Sequence, residues 1–112
     1  MEQEYKRGDV IVSVAAGDYG KPRPMVVVQS DLFNHTHQSL TVCPITSHSV
    51  QAPLFRIPMR PTKGNGLKKA SQLMIDKVNS VKREKISRKI GTVSDAMLDK
   101  IEEALKLWLD LA

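Results

Sequence analysis

The sequence predicts an α+β fold, in which a small, strongly curved antiparallel sheet is followed by one long C-terminal helix. Through the first two thirds of the chain, short apolar runs rich in β-branched residues alternate with Gly and Pro, as in strands joined by tight turns. After Gly91 the apolar residues recur at helical spacing instead. A length of 112 residues predicts a single domain that spans 1–112.

Four apolar runs are expected to form strands. In the first of them Val10, Val12 and Val14 would share one face and Ile11 and Ser13 the other. The predicted strands cover residues 10–14, 25–29, 40–46 and 54–59, and 70–81 is expected to hold one or two more. Pro44 within the third run indicates a bulge or an edge position, because proline cannot donate to a sheet ladder.

The connecting segments predict turns and short helical pieces. Residues 17–20 and 62–66 have turn composition, and 30–34 is expected to form one helical turn capped by Ser30. Ser94 predicts the start of the C-terminal helix, with Asp95 favourably placed at its positive end. The apolar stripe of that helix is expected to pack on the sheet, with Trp108 in the core and Glu102 paired with Lys106. The stripe comprises Met97, Leu98, Ile101, Leu105 and Trp108.

Charge is distributed unevenly along the chain. The formal net charge is +5, yet residues 94–112 contain five acids and two bases and are therefore negative. Eleven of the seventeen Lys and Arg residues fall between Arg56 and Lys89, where only Asp76 and Glu84 are acidic. A body this basic favours a polyanionic partner, either nucleic acid or an acidic protein.

Several functional classes are disfavoured. The longest uninterrupted apolar run, 25–28, is too short to cross a membrane, and the first residues have no apolar signal region, so we expect a cytoplasmic protein. The single cysteine, Cys43, is expected to be a small buried hydrophobe, with a catalytic thiol as the alternative. His35, His37 and His48 lack the acidic or thiol partners of a metal site, so neither a metal nor a cofactor is expected.

Three segments in order resemble the MazF/PemK (Kid) ribonuclease toxins of bacterial toxin–antitoxin pairs. They read Arg7-Gly-Asp-Val-Ile11, Lys21-Pro-Arg-Pro-Met-Val-Val-Val-Gln29 and Val42-Cys-Pro-Ile-Thr-Ser47. The resemblance implies an SH3-like barrel of the MazF/CcdB type and a homodimer. It also implies sequence-specific, metal-independent cleavage of single-stranded RNA that inhibits translation and growth. A cognate antitoxin, whose acidic tail occupies the RNA groove, would neutralise this activity.

Such cleavage uses the ribose 2′-hydroxyl as nucleophile, so it needs a base, an acid and a donor to the phosphoryl oxygens. Arg23 matches the family's catalytic arginine, and its planar guanidinium suits a phosphate. Thr46 matches the threonine that the family places beside it. Asp76 matches an acidic position and would act as a base, or orient one, from the strand face of Met74 and Val78. The alternative for Asp76 is a salt bridge with a neighbouring lysine.

Substrate contacts are expected from residues around these three. Tyr19 is a candidate for base stacking, and Lys77 would supply positive charge where Met74 replaces an arginine of one family branch. The expected substrate-binding residues are Asp18, Tyr19, Lys21, Ser47, His48, Lys77 and Asn79. At Met74, Lys77 and Asn79 this sequence differs from the family's pattern, which leaves the identity of the general base and acid open.

Two alternative functions remain. The first is a gyrase-poisoning toxin of the CcdB type, which Trp108 on the last helix suggests, although Leu107-Trp-Leu109 does not reproduce the Trp-Gly-Ile ending of that class. The second is a barrel that binds RNA without cleaving it. Discrete cuts in single-stranded RNA would favour the nuclease over both.

Overall fold

The β-branched runs of the sequence form the strands of one antiparallel sheet. The computed structural model describes residues 4–14 and 20–111. Within this part of the chain the strands are β1 (Asp9–Ser13), β2 (Arg23–Val27), β3 (Ser39–Thr46), β4 (Arg56–Met59), β5 (Ser71–Met74), β6 (Asn79–Lys82) and β7 (Ile86–Thr92). The helix α1 (Asp95–Trp108) follows them. The predicted α+β class with a long C-terminal helix is confirmed.

Strand β3 lies at the centre of the sheet. The strand order is β4-β5-β3-β2-β1-β7, and β6 also pairs with β3. On one side β3 pairs with β2. On its other side, the first half of β3 pairs with β6 and its last two residues pair with β5. Neither β5 nor β6 pairs with Cys43 or Pro44, so the proline lies where the ladder changes partner. The predicted edge position of Pro44 is therefore wrong for the strand, because β3 is central and Pro44 pairs with Met25 on β2, although the residue has no ladder partner on the other side.

The two ends of the strand order approach each other. The turn after β4 returns to β7, where the Thr92 amide donates to the Gly64 carbonyl oxygen over 2.8 Å. The buried Asn65 fixes this turn, because its amide oxygen accepts from the backbone of Thr62 and Leu67 and its amide nitrogen donates to the Arg60 carbonyl. The sheet therefore curves into a barrel-like shape, as expected.

Both faces of the sheet are buried. Val10 belongs to the cluster under α1, whereas the next residue, Ile11, belongs to a second cluster on the opposite face. The first cluster includes Val26, Cys43, Ile45, Leu73 and Ile101, and the second includes Tyr5, Met25, Val27, Leu40, Val42 and Val81. The alternation predicted for the first strand is thereby confirmed, and β2 is buried on both faces.

Helix α1 begins as predicted but ends differently. The Ser94 hydroxyl accepts from the Met97 amide over 3.1 Å, and Ile101 lies fully buried against the sheet. Trp108, expected in the core, is 45% exposed and packs on Phe55 with ring centroids 5.2 Å apart, because it lies at the helix end beyond the sheet.

The predicted pair of Glu102 with Lys106 is also wrong. The N-terminal segment brings the Arg7 guanidinium to 2.8 Å from the Glu102 carboxylate, and Lys106 approaches Glu103 instead, at 3.7 Å. A sequence-local pair on a helix surface contributes only a few tenths of a kcal/mol, about 0.3, so a tertiary partner displaces it easily.

The short helical pieces lie elsewhere than predicted. Residues 30–34 form turns, and the Ser30 hydroxyl accepts from the Leu32 amide as in a serine turn rather than a helix cap. Single 3₁₀ turns occur instead at Ile75–Lys77 and Arg83–Lys85. Asp76 therefore lies on a 3₁₀ turn after β5 and not on a strand face with Met74 and Val78.

Replacing Gly66 with alanine is expected to lower the free energy of unfolding by about 3 kcal/mol. Gly66 has φ +70°, and a Cβ there would overlap the Ile90 carbonyl oxygen. Gly20 has a similar φ of +79°, but among the residues that the structure describes a Cβ there meets no atom within 4 Å. Gly20→Ala is therefore the matched control and should cost only about 1 kcal/mol. Equal losses in urea titrations of the two variants would show that the contact with β7 is unimportant.

Candidate active site

The sheet register brings Arg23 and Thr46 together. Strands β2 and β3 pair Met25 with Pro44 and Val26 with Cys43. Arg23 and Thr46 each lie two residues beyond the Met25–Pro44 pair, at the neighbouring ends of the two strands. Two residues 23 positions apart in the sequence are thereby brought to the same end of the sheet, where both line one pocket.

Both residues line one open pocket at the strand ends. Its volume is about 540 Å³. We call it the Arg23 pocket. Its polar and charged lining residues are Lys21, Arg23, Thr46, Ser47, Lys68, Lys69, Ser71 and Arg88, and its apolar ones include Val12, Pro22, Pro24, Ile45, Leu67 and Ile90. The prolines on either side of Arg23 fix the backbone φ before and after it, which limits the positions that its side chain can reach.

The Thr46 hydroxyl is oriented by the turn that follows it. Its oxygen accepts from the His48 amide over 3.1 Å, which leaves its hydrogen available to a ligand oxygen. Gln72, the partner of Thr46 on β5, holds the same turn through two bonds to the backbone of Val50, at 3.1 and 2.9 Å. Thr46 can therefore act as a pre-positioned donor at the edge of the Arg23 pocket.

The Arg23 pocket is strongly cationic. Five of its lining residues are Lys or Arg, and none of the described lining residues is Asp, Glu or His. Arg23 is half-buried, whereas Lys21, Lys68, Lys69 and Arg88 are more exposed. Such a concentration of one charge sign in a concave site attracts anions and stabilises negative charge that develops inside it.

Asp76 lies outside this pocket and is bound by an arginine. Arg56 on β4 donates from Nε and Nη2 to the two carboxylate oxygens of Asp76, over 2.7 and 3.1 Å. Both side chains are only about an eighth exposed, at 12% and 13%. The hydrogen bonds from Arg56 hold the pKa of Asp76 below its usual value despite the opposing effect of burial. The salt bridge considered as the alternative role of Asp76 is therefore present, but its partner is Arg56 and not a lysine.

The remaining predicted residues are divided between the pocket and other places. Lys21 and Ser47 line the Arg23 pocket, whereas His48 contributes only its backbone amide to Thr46. Lys77 is exposed next to Asp76, and the Asn79 side chain donates to the Lys77 carbonyl, so neither lines the pocket. Asp18 and Tyr19 lie outside the described residues.

The alternative roles considered for other side chains have no support in the geometry. Cys43 is fully buried, and burial raises the pKa of its thiol to about 12, so it stays protonated at neutral pH. Among residues 4–14 and 20–111, no three His, Cys, Asp or Glu side chains are grouped as a metal site would require. The helix that the structure describes is neither long nor apolar enough to span a membrane.

Three cations of the pocket were not among the predicted site residues. Lys68 and Lys69 follow the turn after β4, and Arg88 lies on β7. The density of bases between Arg56 and Lys89 indicated a basic surface, but no local motif distinguished these three from the other eight. Only the contact between the turn at Gly66 and β7 brings them to the pocket.

The chain is similar in sequence to known ribonuclease toxins over almost its whole length. Residues 6–109 match the family described as PemK-like, MazF-like toxin of type II toxin–antitoxin system. The chain is 40% identical over 108 residues to the probable endoribonuclease MazF of Mycolicibacterium smegmatis, covering 96% of this chain and 98% of that protein. It is 29% identical over 110 residues to the endoribonuclease EndoA of Bacillus subtilis, covering 95% of each.

Solved structures share the fold. A mycobacterial endoribonuclease in complex with its cognate antitoxin superposes with a TM-score of 0.82 at 19% identity, covering 96% of this chain and 97% of that one. The MazE–MazF complex of Deinococcus radiodurans gives a TM-score of 0.80 at 16% identity, covering 98% and 99%. At these identities the likeness concerns the fold.

Proposed function

The chain belongs to the PemK-like, MazF-like toxins of type II toxin–antitoxin systems and is an endoribonuclease of that family, and we propose that it cleaves single-stranded RNA without a metal ion in the Arg23 pocket. The main support is that Arg23 and Thr46, from the neighbouring ends of β2 and β3, line one pocket together with four further cations. RNA supplies both the phosphate that such a pocket attracts and the 2′-hydroxyl that acts as internal nucleophile.

The proposed reaction is a transfer of the phosphoryl group within the RNA. The 2′-oxygen bonds to the adjacent phosphorus as the bond to the 5′-oxygen breaks, which leaves a 2′,3′-cyclic phosphate and a 5′-hydroxyl. The 2′-hydroxyl loses its proton and the departing oxygen gains one, so the reaction is balanced without a co-reactant. Arg23 and the Thr46 hydroxyl donate to the phosphoryl oxygens, whose negative charge increases in the transition state.

The two proton transfers are not assigned to a described side chain of the pocket. The sequence favours Asp76 as the base, but its carboxylate is engaged by Arg56. We propose instead that Asp76 supports the site from outside the pocket, by fixing the 3₁₀ turn between β5 and β6 against β4. The rate enhancement then depends chiefly on stabilisation of phosphoryl charge, which is often the largest single contribution to catalysis.

Incubation of the purified protein with a long single-stranded RNA in EDTA tests the proposed function. We expect discrete cuts at a recurring sequence, with 5′-hydroxyl ends and no cleavage of the corresponding DNA. Binding without cuts would favour the non-catalytic alternative. Cuts that disappear in EDTA and return with added Mg²⁺ would contradict the metal-independent mechanism.

Thr46→Val is expected to reduce the cleavage rate about 10- to 100-fold, because it removes one donor to the phosphoryl group while keeping a β-branched side chain. Thr46→Ser keeps the hydroxyl and is the matched control, expected to stay within about threefold of wild type on the same grounds. Single-turnover rates with excess enzyme separate this chemical effect from binding. Equal losses in both variants would assign Thr46 a role in packing instead.

As a toxin of this family, the protein is proposed to inhibit translation and growth by cutting mRNA, and to be neutralised by an antitoxin. The mycobacterial endoribonuclease of the same fold forms a complex with its cognate antitoxin. Because the pocket here is lined by five cations, an acidic antitoxin segment would compete with RNA for the same surface. Co-expression with the cognate antitoxin should restore growth, and failure to do so would contradict this part of the proposal.

A homodimer is proposed on the basis of exposed apolar side chains near the end of α1. Leu54 and Leu107 are 66% and 60% exposed and line the same apolar cavity, and Leu109 and Leu111 are at least half exposed. A soluble monomer rarely leaves such a group uncovered. A monomeric mass in light scattering at micromolar concentration would refute the dimer.

The CcdB-type alternative has lost its main support. The family model that matches residues 6–109 is that of the ribonuclease toxins, and Trp108 packs on Phe55 within the chain. Gyrase inhibition without RNA cleavage would be needed to restore it.

A further inference from the structure

The Arg23 pocket has two walls of different origin. Arg23, Thr46 and Ser47 come from the ends of β2 and β3 and face the proposed scissile phosphate. The other wall contains Lys68 and Lys69 from the segment before β5 and Arg88 from β7. We call these three side chains the cationic wall. The chemistry assigned to Arg23 and Thr46 does not use this wall.

Backbone contacts bring the two segments of the cationic wall together. Glycine at position 66 allows its backbone to lie directly against the carbonyl of Ile90, two residues from Arg88 on the same strand. The hydrogen bond from Thr92 to Gly64 and the Asn65 network fix the turn that precedes Lys68. Backbone contacts therefore join the turn that precedes Lys68 to the strand that carries Arg88.

The cationic wall is also available for an anion. Lys68, Lys69 and Arg88 are accessible to solvent, and within the described part of the chain the ion pairs involve other cations: Arg7, Arg56, Lys89 and Lys106. Lys89, the neighbour of Arg88 on β7, lies 3.2 Å from the Asp9 carboxylate. The structure thus directs one β7 cation to an internal acid and leaves the adjacent one in the pocket.

We propose that Lys68, Lys69 and Arg88 bind the RNA backbone phosphates next to the scissile one and so position the strand for cleavage. This inference rests on the proposed function, and it makes the cationic wall a determinant of binding rather than of chemistry. Arg88 is assigned the most directional contact, because its planar guanidinium can donate two parallel hydrogen bonds to one phosphate. Phosphates are shared by all sequences, so the wall fixes register without reading bases.

The test measures RNA affinity as a function of salt. The ligand is an oligoribonucleotide that contains the mapped cut site with a 2′-deoxyribose at the scissile position, which prevents cleavage. The slope of log K against log salt is negative, and each phosphate contact removed from a single-stranded complex should reduce its magnitude by about 0.7. Arg88→Ala should therefore reduce the magnitude by about 0.7, and replacement of all three wall cations by alanine should reduce it by about 2.

Two control variants separate phosphate binding from a structural role. Arg60→Ala removes an exposed arginine that lies outside the Arg23 pocket and should leave the slope unchanged. Arg88→Lys keeps the charge and should keep the slope. In cleavage of the natural strand, Arg88→Ala should raise KM about fivefold with kcat within about twofold, as expected for a contact made equally in ground and transition states.

The outcomes distinguish this inference from the proposed function. If wild type binds and cleaves RNA while the triple variant keeps the wild-type salt slope, the cationic wall does not bind phosphate, and the proposed nuclease stands. A fall in kcat with KM unchanged would also overturn the inference, because it would place Arg88 in the chemistry. If wild type neither binds nor cleaves RNA, the proposed function fails and this inference fails with it.

Discussion

Arg23→Ala is expected to reduce the single-turnover rate of RNA cleavage about 10³-fold, the scale seen when a donor to developing negative charge is removed from a preorganised site. Arg23 is half-buried in the pocket that it shares with Thr46, between two prolines. In the proposed mechanism its guanidinium donates to the phosphoryl oxygens. Alanine removes the charge and the directional donors together, so no other side chain replaces them at the same place.

Arg23→Lys separates charge from geometry. A lysine keeps the positive charge but loses the planar fork, and we expect it to recover only part of the rate, about tenfold above the alanine variant. Arg60→Ala, which removes an exposed arginine outside the pocket, is the matched control and should cleave at the wild-type rate. Alanine at position 23 with a wild-type rate would remove Arg23 from the chemistry and end the proposed mechanism.

The resemblance to the family predicts Arg23 and Thr46 as neighbours, and the hydrophobic pattern predicts the two strands that carry them. The runs at 25–29 and 40–46 correspond closely to β2 and β3, and the register of that pair sets their ends opposite each other. Both runs are largely apolar and buried on both faces, so the pattern predicts the two strands but does not by itself fix their register. Local pattern and tertiary structure agree here.

The second half of the site could not be predicted, because it depends on contacts between distant segments. Lys68 and Arg88 are 20 residues apart and meet only where the turn at Gly66 lies against β7. The segment around Asp76 reads as strand, yet the chain leaves β5 in a 3₁₀ turn and enters β6 beside the other half of β3. Nothing in the alternation of residues 70–81 indicates that β3 changes partner at Pro44.

Asp76→Asn is expected to lower the free energy of unfolding by about 2–3 kcal/mol, because it leaves the Arg56 guanidinium largely buried without a counter-charge. The two bonds from Arg56 connect β4 to the 3₁₀ turn between β5 and β6, so the pair holds the chain where it leaves β5. Urea titration at pH 7 measures the loss. Arg56→Gln should cost a similar amount, and the double variant should cost less than the sum of the two single variants, since the partners act as one unit.

The pH dependence gives Asp76 a distinct signature. Its pKa is lowered in the folded state, chiefly by the hydrogen bonds from Arg56, so the pair stabilises the fold fully above the unfolded value of about 3.9. That stabilisation is lost as pH falls through the folded pKa, because protonation of the native carboxylate then removes the charge that Arg56 binds. Between about pH 5 and pH 2 the wild type should therefore lose more stability than Asp76→Asn, which has no such group to protonate.

The same variant decides between the structural role of Asp76 and the catalytic one first expected of it. If Asp76 only holds the fold, Asp76→Asn should keep its cleavage rate within about threefold at a temperature where it remains folded, whereas loss of a general base costs about 10²- to 10⁴-fold. A variant that is fully stable yet inactive would return Asp76 to the chemistry and require Arg56 to release it when RNA binds. The bidentate hydrogen bonds at 2.7 and 3.1 Å argue against a role as base, because they lower the pKa of Asp76 and so make its carboxylate a weaker proton acceptor.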